Sequence, residues 1–281
     1  MLARAPDQTV LARYVISGSL RQSSSQLRLA VQLVDTMSGA HLWAETYDRP
    51  FRAEDVFPLQ DDLVPRIVST FADWYGVLPQ SMSEVLRLTP SDQLTPYEAV
   101  LRSFGYGERR TPEEHATART VLERAVQQAP GYADGWALLS IMCTEEYATG
   151  FNLQPDPLGR VLHAARQAAD AAPSNALAHI ALARARFFRK EFQAFRTAAD
   201  RAIALNPLDG GSLASMGLLM AYSGEWEHGC AMVERAAQRN PHHPGWYWFP
   251  FFYNAYRKGD YHGALSIALK INRPHFFIRI W

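Results

Sequence analysis

The sequence predicts a mainly α-helical chain in which a small α+β region, antiparallel strands plus one helix, precedes a superhelix of helix-turn-helix units. Three observations carry this. Leu27, Leu29, Val31 and Leu33 alternate with Arg28, Ala30 and Gln32, the period of two expected of a half-buried strand. Val56, Leu59, Leu63, Ile67 and Phe71 then recur at helical spacing. Further on, Pro173, Pro207 and Pro241 stand 34 residues apart, each closing an Ala-rich stretch.

The first region is assigned to residues 1–80. Tyr14–Leu20 reads as a strand, Ser23–Ser25 as a turn, Leu27–Leu33 as a second strand. Ser38-Gly39 breaks the pattern before a third strand over His41–Tyr47. Turns this short cannot make a parallel crossover, so the strands form an antiparallel meander. A helix from Asp55 to about Tyr75 is expected to pack on it. Residues 81–95, within the Pro79–Pro96 stretch, read as a polar linker. Thr95 is placed to cap the next helix, with Pro96 at its first position.

Residues 96–281 carry the repeat. Proline cannot continue a helix, so Pro173, Pro207 and Pro241 end the second helix of successive units. Ala168, Ala202 and Ala236 sit five residues before them, small enough for two helices to approach closely. Leu182-Ala183 and Met216-Gly217 fall at the facing contact, and Phe192 and Trp226 open the second helices. Pro130 closes an earlier unit containing Ala118, Leu122 and Ala125, and Trp136, Leu139 and Ser140 open the next one. That unit exceeds the period by nine residues, an excess placed in a longer loop over Gly150–Pro157. Gly259-Asp260-Tyr261 and Ala264 mark a last unit whose register slips by about one residue. This pattern resembles the tetratricopeptide repeat over about two thirds of the chain, and implies four to five stacked hairpins with a concave surface lined by the first helices.

The first region resembles the TolB-amino-terminal-like domain through Tyr14-Val-Ile-Ser-Gly-Ser-Leu-Arg21, Val31-Gln-Leu-Val-Asp35, Gly39–Asp48 and Phe57-Pro-Leu-Gln-Asp61. In bacteria that domain precedes tetratricopeptide arrays, downstream of class III adenylate or guanylate cyclase domains or winged-helix DNA-binding domains. Its members carry a further strand and helix upstream, so the resemblance implies a fragment or an incomplete domain with an exposed edge.

Composition narrows the function. Lys+Arg and Asp+Glu are 28 each, so no whole-chain basic field attracts nucleic acid or lipid. The start has no apolar signal core, no stretch is long enough to span a membrane, and a cytoplasmic protein is expected. Cys143 and Cys230 lack short-spaced ligand partners and read as small buried side chains, so neither a metal nor another cofactor is predicted. Phe71-Ala-Asp-Trp-Tyr-Gly76 has a superficial likeness to a cyclase metal-binding segment, but Asp73 sits in a helical pattern. Asp61-Asp62 read as solvated helix positions and His242-His243 as an inter-repeat turn. His41 and Trp43 read as strand packing. No convergent acid, base, nucleophile or phosphate loop is visible, and the chain reads as a non-enzyme.

Counting from Ala133, Ala176, Gly210 and Pro244, the family's inward positions imply a partner-binding groove of Ile180, Arg184, Phe187, Phe188, Leu218, Tyr222, Trp248, Phe252 and Tyr256. Ala214, Ala221 and Ala255 fill the remaining positions. Phe187 and Phe252 can equally be core of the array. Arg184 is the candidate to meet a carboxylate. A protein or peptide partner in bacterial signalling or regulation follows, with a regulatory role in a nucleotide cyclase or winged-helix regulator as the alternative. The last unit, without a polar cap before Arg279-Ile-Trp281, is expected to favour self-association.

Overall fold

The computed structural model describes residues 12–72, 76–240 and 243–271. They fall into two compact units, one ending at Val64 and the other beginning at Pro65. Asp73, Pro241, His242 and Arg279–Trp281 lie outside the described residues, as does Tyr75, the expected end of the first helix.

In the first unit, β1 (Tyr14–Ser23), β2 (Gln26–Asp35) and β3 (His41–Pro50) form an antiparallel sheet in that order. Ser23 pairs with Gln26, so the β1–β2 turn is only Ser24-Ser25. Gly39, at φ +72°, supplies the left-handed residue of the second turn, a conformation glycine adopts without steric cost. The alternation read from the sequence sorts the faces: Val31, Leu33 and Tyr47 are buried, while Arg28 pairs with Asp48 in the open, Nε–Oδ1 2.6 Å. A register irregularity at Leu33/Val34 brings His41 opposite Val34. A 3-10 turn over Ala53–Asp55 leads into α1 (Val56–Ala72). Asp62 is not simply solvated: it accepts hydrogen bonds from Arg49 Nε and Nη2 at 3.3 and 3.1 Å, tying α1 to β3.

The second unit is helical throughout. The expected linker is corrected here. Residues Val77–Leu86 form α2, and buried Ser83 donates its hydroxyl to the Arg102 carbonyl at 3.1 Å. Its turn-forming residues Pro79, Ser81 and Ser83 concealed this helix, although Val77, Leu78, Met82, Val85 and Leu86 make half of it apolar. Next come α3 (Pro96–Ser103), α4 (Tyr106–Arg109) and α5 (Pro112–Gln128). Thr95 caps α3 as expected, accepting from Glu98 N while the Glu98 carboxylate accepts from Thr95 N, a reciprocal pair that satisfies two orphan amides. Thr111 caps α5 one way only, its hydroxyl oxygen accepting from Glu114 N, again with proline at the first helical position.

Four hairpins follow the first: α6 (Ala133–Thr149) with α7 (Pro157–Ala171), α8 (Ala176–Phe188) with α9 (Phe192–Leu205), α10 (Gly210–Tyr222) with α11 (Trp226–Arg239), and α12 (Phe249–Arg257) with α13 (Tyr261–Ala268). Both boundaries of α8 and of α9 recur 34 residues later in α10 and α11. Ala168, Ala202 and Ala236 are fully buried where the helices meet. The tightest approach is between α10 and α11. A Cβ on Gly229 would stand 2.4 Å from Ala221 N and from Gly217 O. The left-handed residues Lys190, Gly224 and Gly259 turn the last three hairpins and reproduce the one-residue slip of the last unit. The nine-residue excess is only partly loop. α6 has 17 residues where α8 has 13, so it gains about one helical turn as well.

Candidate partner-binding groove

The first helices of successive hairpins, with residues just before and after them, enclose a cavity of about 980 Å³. On α8 the lining residues are Ile180, Arg184, Phe187 and Phe188, the i, i+4, i+7, i+8 set of one helix face. On α10 Leu218 and Tyr222 repeat the Arg184 and Phe188 positions, with Ser215 beside them. Phe187 serves core and cavity together, lying 5.5 Å from buried Phe195 in an edge-to-face contact. Phe188 packs edge-on against Phe187 at 5.3 Å and Tyr147 at 5.8 Å. Tyr222 meets Tyr253 at 5.6 Å, and burial pushes its phenol pKa up, with Tyr253 adding to the effect.

The polar centre joins three elements. Glu145 of α6 accepts from Arg184 Nη2 at 2.8 Å and from Arg110, the left-handed residue just past α4. Arg110, Glu145 and Arg184 all line the cavity, giving two cations to one anion. Burial works to raise the Glu145 pKa, but Arg110 and then Arg184 outweigh it and hold the carboxyl below its ordinary value of 4.5. The Arg184 Nε–H is buried without an acceptor among the described residues. A planar guanidinium with an uncommitted donor fits an incoming carboxylate.

Six of the nine residues read from the sequence therefore share this cavity. Trp248, Phe252 and Tyr256 are not brought to it, and Trp246, Phe249 and Tyr253 take their places. The last unit opens with a 3-10 turn over Gly245–Trp248. Gly259 follows Gly224 by 35 residues rather than 34, so the inward positions of this unit fall one residue later than a strict period places them, at Phe249 and Tyr253. Trp248 instead packs on Phe251 at 5.8 Å beneath the Lys270 ammonium at 4.6 Å. Phe252 stacks on Tyr256, which meets Tyr261 of α13. Ile141 and Glu145, which were not named, lie on the ninth and thirteenth positions counted from Ala133. The same positional rule applied to that unit finds them. Tyr106, Arg110 and Phe151 carry no such signal, since they sit outside the repeat's first helices.

Behind the cavity the 150–156 loop is held down rather than loose. Glu146, fully buried, accepts from Arg119 at 2.9 Å, Arg160 at 2.8 Å and the Gln154 amide at 2.7 Å. Asn152 donates to the Pro112 carbonyl at 2.7 Å. Cys143 and Cys230 are buried thiols, and burial pushes Cys143 up to about 11. His243 stacks on Tyr247 at 4.7 Å. Among the described residues no group of three or more His, Cys, Asp or Glu could hold a metal, and no helix is long and apolar enough to cross a membrane.

Fold and groove together define a tetratricopeptide-type helical-repeat module with an open trough. No family model matches the chain. It is 31% identical over 174 residues to putative adenylate cyclase 3 of Rhizobium meliloti (strain 1021), a match covering 61% of this chain and 28% of that protein. The chain thus spans little more than a quarter of the curated relative it matches. Among solved structures, a thermophilic TPR protein of Thermus thermophilus aligns over 65% of this chain and 90% of its own at 15% identity and TM-score 0.49. Pseudomonas aeruginosa PilF aligns over 63% and 74% at 16% identity and TM-score 0.44.

Proposed function

We propose that residues 96–281 hold a segment of a partner protein, an extended or helical peptide, in the trough, and that the chain acts as a cytoplasmic, non-enzymatic interaction module in bacterial signalling or regulation. Residues 1–80 are a separate α+β domain in this reading. One observation carries it: aromatic side chains from successive hairpins converge around a centre with two arginines and one glutamate. Aromatic residues in a concave site act as anchors that supply most of the binding energy, and the Arg184 Nε–H that lacks an acceptor among the described residues selects an acidic group. Ser215→Arg fills the trough from α10, and Tyr222→Ala removes one ring. Both variants are expected to keep their helical content by circular dichroism and to lose the partner in affinity capture from the native cell. Retained capture by both would remove the reading. Arg184→Ala is the poorer probe, since it also strips Glu145 of a partner.

The similarity to a putative adenylate cyclase supports a second reading, in which the chain is the regulatory part of a class III adenylate or guanylate cyclase or of a winged-helix regulator. An antibody against this chain decides it. Precipitated native product should exceed 31.6 kDa and form cyclic nucleotide if the cyclase reading holds.

A further inference from the structure

The geometry points to a second copy of this chain as the partner of the β1 edge, paired antiparallel about a two-fold axis at Gly18. The hairpin geometry states which groups are available. Ser23 pairs with Gln26 across a two-residue turn, so odd-numbered β1 residues exchange hydrogen bonds with β2. The 2.7 Å bond from Thr36 N–H to the Arg13 carbonyl continues that alternation. Tyr14, Ile16, Gly18, Leu20 and Gln22 therefore direct their N–H and C=O groups away from β2, and among the described residues no strand lies beyond β1.

The side chains on these even positions share a face with the core. Ile16 pairs with Leu33, Gly18 with Val31 and Leu20 with Leu29. Leu33 and Val31 are 1% and 7% exposed, yet Ile16 and Leu20 are 45% and 64% exposed. The apolar face continues into β1 without its cover. Natural edge strands are blunted by lysine, proline, bulges or shortness. β1 has ten residues, neither proline nor lysine, and Arg21 as its one charge. The opposite edge is guarded: β3 carries Glu45, Asp48 and Arg49, ends at Pro50 and pairs through a register irregularity.

The strand is also self-complementary. A two-fold axis at Gly18 sets glycine against glycine, where no side chains collide. It sets Ile16 opposite Leu20 of the second copy, and Leu20 opposite Ile16. Arg21 meets Val15 of the other strand, so no like charges oppose one another. An isologous pairing of this kind makes one six-stranded sheet with a continuous apolar face.

The test uses the full chain. Sedimentation velocity should show a concentration-dependent dimer, abolished by Leu20→Lys and by Gly18→Pro with far-ultraviolet circular dichroism unchanged. Leu20 is exposed, so its replacement leaves the core intact. The double variant Ile16→Cys/Leu20→Cys should oxidise to a covalent dimer, because facing residues of a hydrogen-bonded antiparallel pair stand about 5.5 Å apart at Cα, within the disulfide range, while positions four apart in one strand do not. A monomer at every concentration overturns the inference. So does a dimer that survives Leu20→Lys and fails to cross-link, as one built on exposed Tyr261 and Leu265 of α13 and Leu269 just past it would.

Discussion

Two neighbouring glutamates on α6 divide the labour of the helical unit, and neither role follows from residue type. Glu146 points into a dry interior where Arg119, Arg160 and the Gln154 amide satisfy it. Removing one member of such a set strands the others, which typically costs about 3–5 kcal/mol. Glu146→Ala is therefore expected to lower the denaturation midpoint severely, whereas the exposed Glu113→Ala should scarcely alter it. Glu145 faces the trough between Arg110 and Arg184. Its folded pKa lies below the unfolded value, so its ionisation stabilises the fold at pH above the ordinary carboxylate range. That contribution is lost as pH falls through the depressed folded value. Urea midpoints for wild type and Glu145→Gln should differ near neutrality and converge on acidification. Arg184 was singled out by its repeat position, but its engagement with Glu145 required knowing which hairpin lay beside α8.

Helix boundaries were legible wherever local chemistry sets them. Thr95, Asn175 and Asp209 cap their helices through side-chain oxygens that accept from the third amide. The prolines that close repeats stand just past α7 and α9, since a missing N–H cannot extend the ladder. The Met216-Gly217 contact was legible too, though its partner Gly229 was not. That glycine matters because backbone, not a pliable side chain, crowds it. Gly229→Ala is predicted to destabilise by about 1–3 kcal/mol through overpacking. The effect should appear despite alanine's intrinsic helical advantage of about 1 kcal/mol. A thermal melt rising on this substitution would contradict the close α10–α11 approach. The last hairpin is out of phase with a count in strict steps of 34, because its one-residue slip moves every inward position one residue later.

Across the array, stability is shared between neighbours, as in other stacked hairpins. The α2 segment enters that accounting as structure rather than tether, anchored through Ser83 to the α3 backbone. Hydrogen exchange over residues 77–86 is expected to be slowed to a level near that of α3. Free exchange there would restore the linker. The trough itself is a property of the stack: Tyr106 and Phe151 from its beginning and Phe249 and Tyr253 from its end meet across one cavity though about a hundred residues or more separate them.

Period, capping and alternation belong to the chain's own covalent order, and they were sufficient for an array of four to five hairpins and an antiparallel meander. These features depend on interactions within a turn or between adjacent units, and such interactions leave a repeating trace. Which rings close the far end of the groove, which carboxylate the arginines share and how α2 is held depended on the summed rotation and packing of many units. Small departures, such as an extra turn in α6 or the one-residue slip of the last unit, accumulate through a superhelix, so only the assembled helices place those side chains.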